Sequence, residues 1–106
     1  MAYFRGFDDA EDMRRAFDEP PETFGTPDIL FAVNDSYSCE ALAFVLLRLD
    51  GRLFEVNASH CSCDGYEGQW APEPTSADAL RMRKSIFGLT DEEFQMAVEL
   101  AAEATR

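Results

Sequence analysis

Residue types able to do chemistry are concentrated in one segment, Ser59-His60-Cys61-Ser62-Cys63-Asp64-Gly65-Tyr66-Glu67-Gly68-Gln69-Trp70. It holds the single His, two of the three Cys and the single Trp of a 106-residue chain. Thiolate and imidazole suit zinc, which takes four ligands in a tetrahedron. Cys61 and Cys63 offer two, His60 a third and the distant Cys39 a fourth. Against zinc, adjacent His and Cys are awkward ligands for one ion, and no Cys-X-X-Cys spacing occurs. The second chemistry is a thiol nucleophile, Cys61 or Cys63, with His60 as base and Asp64 as the one carboxylate near enough to orient it. Neighbours on an extended segment point to opposite faces, which keeps His60 from serving Cys61. The odd cysteine count, without a secretory signal, favours reduced thiols over a disulfide. The same composition also suits a structural loop. There Gly65 and Gly68 supply turns, Trp70 plugs the core edge and the cysteines act as small apolar groups.

The elements that must position this segment are legible in outline. Asp50-Gly51 between the apolar runs Leu42–Leu49 and Arg52–Asn57 predicts a hairpin with a type I′ turn, because both central residues need positive φ. That turn pairs Leu49 with Arg52, Leu47 with Phe54 and Val45 with Val56. Leu42, Phe44 and Leu46 fall on the other face beside Glu55, Asn57 and Ser59, a surface to be covered by the N-terminal helix or by a partner. Extended outward, the register sets Cys39 opposite Ser62, and a bulge would bring it beside Cys61 and Cys63. Ile29–Val33 predicts another strand, ended by a turn at Asn34-Asp35-Ser36. Before it, Asp8 as N-cap with Glu11 predicts a short helix bearing Ala10, Met13 and Phe17, stopping ahead of Pro20-Pro21. After the hairpin, Ser76 caps a helix expected to run through Leu80 and Ile86 to Gly88 as its C′ residue. Thr90 and Glu93 form a capping box for a last helix with Phe94, Ala97, Val98 and Ala101 on one stripe. The expected fold class is therefore α+β. A small three-stranded antiparallel sheet carries an N-terminal helix and two C-terminal helices on one face, all in a single domain, 1–106.

The run His60 to Trp70, followed by Pro72-Glu73, resembles a segment of small proteins encoded by phages and prophages, where a strand, a tight turn and a second strand precede it. Phe44 to Trp70 matches that arrangement, about a quarter of the chain. The resemblance implies a phage or mobile-element origin and transfers no reaction. Eight Arg against one Lys also look like coding by a GC-rich genome.

Charge narrows the function classes. With 21 Asp and Glu against 9 Lys and Arg, the net charge is −12. Direct binding to nucleic acid or an anionic membrane relies on Lys and Arg neutralising phosphates, and the only basic cluster is Arg81, Arg83 and Lys84. No apolar run approaches the roughly 20 residues that span a bilayer. Met1 to Gly6 lacks a basic stretch leading into an apolar one, so the expected location is the cytoplasm, that of the host on the phage resemblance. The acids are densest in residues 1–28, at eight against three Arg. There Asp8, Asp9, Glu11, Asp12, Asp18, Glu19 and Glu22 form the candidate partner-binding row.

These features favour a small acidic interaction protein that binds the basic, nucleic-acid-binding surface of a host protein complex. In size and charge it resembles anti-CRISPR inhibitors as a class, without a shared motif. Tyr3, Phe4, Phe7 and Tyr37 are the expected apolar anchors. The alternative is a zinc-stabilised adaptor built on Cys39, His60, Cys61 and Cys63. An enzyme is not expected: there is one His, no phosphate-cradling glycine loop and no nucleophile motif. Left uncovered, the Leu42/Phe44/Leu46 face would favour a homodimer.

Overall fold

Asp50 and Gly51 adopt φ of 53° and 77°, the left-handed pair that a type I′ turn demands. The strands they join pair Leu49 with Arg52, Leu47 with Phe54 and Val45 with Val56, as expected. Around this hairpin the computed structural model describes residues 2–19, 28–37, 40–61 and 65–105. The elements in chain order are β1 (Tyr3–Arg5), α1 (Ala10–Phe17), β2 (Asp28–Tyr37), β3 (Glu40–Leu49), β4 (Arg52–Cys61), β5 (Glu73–Pro74), α2 (Ala77–Arg83) and α3 (Asp91–Ala104). The class is α+β. The sheet is larger than the three strands expected: among the described residues it has five, in the order β1-β2-β3-β4-β5, with β1 parallel to β2 and the other pairs antiparallel.

β2 runs straight through Asn34-Asp35-Ser36, where a turn was expected, pairing them with Ala43, Leu42 and Ala41. Tertiary demand overrides local turn preference here. Asn34 accepts a 2.6 Å bond from the Tyr66 hydroxyl, and Asp35 accepts from Arg5. A register shift between Ile29 and Phe31 changes the parity of the strand. Ile29 and Ala32 thus face one core, while Leu30, Phe31 and Val33 face the other.

The helices lie on both faces of the sheet rather than one. Met13 and Phe17 of α1 pack with Ala43, Val45, Leu47 and Val56, and Trp70 lies against the same cluster. On the opposite face Leu80 and the α3 stripe Phe94, Ala97, Val98 and Ala101 pack with Phe31, Phe44 and Leu46. At Phe44 and Leu46 the face assigned to the N-terminal helix or a partner is thus covered by the C-terminal helices, while Leu42 stays half-buried beside an open cleft. Ala97 and Ala101 are fully buried, and their small side chains permit close approach of helix and sheet.

Two helix boundaries differ from expectation. Asp9, not Asp8, caps α1: its side chain accepts from the Asp12 N–H, and the Asp12 carboxylate accepts in turn from the Asp8 N–H. Both frames leave Met13 and Phe17 inward, so the apolar spacing cannot choose between them. α2 ends at Arg83, with Lys84 left-handed at φ 64°, and Gly88 lies in a later turn. A helix continued at 100° per residue would bring Phe87 under Leu80 and rotate Ile86 away. Breaking at Lys84 reverses this, burying Ile86 and leaving Phe87 77% exposed.

Candidate functional site

The His/Cys segment is divided by the structure. His60 and Cys61 end β4, opposite Ala41 and Glu40, beside a cleft of about 340 Å³. Cys39 and Cys63, the other expected zinc ligands, lie outside the described residues. The His60 ring meets Tyr66 edge-on at 4.5 Å, and its Nδ1 sits 2.7 Å from the Cys61 carbonyl oxygen. That oxygen can only accept, so Nδ1 is the donor in this contact. Among the described residues no group of three His, Cys, Asp or Glu side chains is arranged to hold a metal.

The rest of the segment is built into the fold. Tyr66 is buried, stacked on Phe17 at 5.2 Å and bonded to Asn34. Burial, helped by the nearby Asp35 carboxylate, pushes its hydroxyl pKa up to about 12. Trp70 meets Phe17 edge-on at 5.3 Å. The Gln69 amide accepts from the Ser59 N–H at 3.0 Å and donates to the Ser59 carbonyl at 2.8 Å. It stands in for a neighbouring strand and closes the outer edge of β4, beyond the short pairing with β5.

The acidic row is also partly engaged. Asp9 and Asp12 serve the α1 cap, and the Arg14 guanidinium pairs with Glu11, lowering its pKa, with Arg15 nearby. Asp8, Asp9, Glu11 and Asp18 are exposed, Asp12 and Glu19 are half-buried, and Glu22 lies outside the described residues. Glu67 is exposed just after Tyr66, whose ring stacks on Phe17 of α1. Three of the four expected apolar anchors are engaged within the fold. Phe7 is buried, Phe4 packs against the α1 core, and Tyr3 stacks on Phe31 at 5.3 Å. The side chain of Tyr37 lies outside the description.

Sequence reading missed the polar network around Arg5. Its Nε donates to Glu93 Oε2 at 2.5 Å and its Nη2 to Glu93 Oε1 at 2.8 Å and the Gly88 carbonyl at 2.9 Å. Its Nη1 donates to Asp35 at 2.9 Å. Glu93 also accepts from the Tyr3 hydroxyl and the Thr90 N–H. The Arg5 bonds, helped by Thr90 and Tyr3, hold the Glu93 pKa down to about 2 against the opposing effect of burial. Glu93 in turn raises the Tyr3 pKa. The signal in sequence was Glu93 itself: a capping-box residue falling within a buried stripe. Above this network opens a groove of about 520 Å³, lined by Arg5, Asp35, Phe87, Gly88, Leu89 and Thr90.

Comparison with known proteins finds no matching family model, and no significant match among curated proteins or solved structures. Among the described residues no helix is long and apolar enough to cross a membrane.

Proposed function

We propose that the protein is a small acidic interaction protein that docks on the basic, nucleic-acid-binding surface of a host complex and inhibits it, in the manner of a phage-encoded inhibitor. The observation carrying this reading is a net charge of −12 on a fold whose two sheet faces both carry its own helices. Recognition then falls to the charged surface. Asp8, Asp9 and Asp18 are exposed around α1. Carboxylates so placed compete with phosphates for Lys and Arg and accelerate encounter with a cationic surface.

The test is capture of host proteins on the immobilised protein, with the retained partner titrated between about 0.05 and 0.5 M salt, where the Debye length falls severalfold. The expected partner is basic, is released as salt rises and exchanges with its own nucleic acid. The triple variant Asp8→Asn, Glu11→Gln, Asp18→Asn keeps the α1 cap at Asp9 and should bind more weakly with a flatter salt dependence. Affinity unchanged by salt, or nucleic acid bound together with the protein, overturns the reading.

A further inference from the structure

We draw no further inference here: the strongest candidate, the cleft of about 340 Å³ at the open end of the β3–β4 hairpin lined by Glu40, Leu42, Ser59, His60 and Cys61, carries nothing, because Cys61 is its lone thiol and no group of three ligating side chains forms among the described residues, and nothing in the structure shows what covers it.

Discussion

Glu93→Gln replaces a carboxylate that receives four hydrogen bonds from Tyr3, Thr90 and, twice, Arg5. The Glu93 side chain is 6% exposed, so its charge is held almost out of water by these donors. The carboxyl pKa falls from 4.5 to about 2 on folding. At ~1.4 kcal/mol per pKa unit this corresponds to about 3 kcal/mol of stability. The partner guanidinium is 36% exposed, and solvent screening reduces the figure to about 2 kcal/mol. Because the folded pKa is the lower one, this contribution is complete above the unfolded value of 4.5 and is lost as pH falls toward 2. Urea unfolding followed through Trp70 fluorescence should find Glu93→Gln about 2 kcal/mol less stable at pH 7, with an unchanged denaturant slope. The gap should narrow steadily below pH 4.5, because the native carboxyl becomes neutral as well. Taking the difference between the two proteins cancels the other carboxylates. A gap that stays constant from pH 7 to about 2.5 would refute the linkage between Glu93 ionisation and folding.

Gly6→Ala should cost several kcal/mol: its Cβ would lie 2.1 Å from the Asn34 carbonyl oxygen at φ 82°, which strains or detaches β1. Thermal unfolding measures it, and a loss below ~1 kcal/mol would mean β1 adjusts freely. In an ultraviolet pH titration, Tyr66 should ionise near 12, above an ordinary tyrosine. The stability its neutral form contributes is present below pH 10 and is lost as pH rises through that value; Tyr66→Phe should remove the late step and cost about 1 kcal/mol by stranding Asn34 Oδ1. Gln69→Ala should speed hydrogen exchange at the Ser59 amide, which loses its acceptor, while exchange at Val45 in the sheet centre stays slow. Ala97→Leu forces a larger side chain into a fully buried position and should destabilise by about 1–3 kcal/mol.

Features carried by neighbouring residues were determined by the sequence itself. Asp50-Gly51 specifies a turn whose φ values admit few alternatives, and a two-residue turn leaves one register, so Leu47 meets Phe54 and Val45 meets Val56. Thr90 and Glu93 are three positions apart, close enough for the capping box to form within one helical turn. The stripe Phe94, Ala97, Val98 and Ala101 follows from helical periodicity alone. Where α1 begins was ambiguous because neighbouring Asp residues can each cap it without moving Met13 or Phe17.

Tertiary structure decided what depends on groups far apart in the chain. β1 is three residues long and takes its strand form from β2, with Tyr3 beside Phe31. The open hydrogen-bonding edge of β2, rather than any local pattern, makes it a strand. Asn34-Asp35-Ser36 has turn composition, yet remains extended because Tyr66 and Arg5 need acceptors on that strand. The site residues followed the same division. The types that drew attention, His60 and Cys61, end β4 beside the structural ring of Tyr66. The groove arises where Arg5, Asp35 and the 87–90 turn meet. Spacing along a chain encodes contacts within a turn or two; a guanidinium and a carboxylate separated by 88 positions meet only when the sheet and α3 have packed.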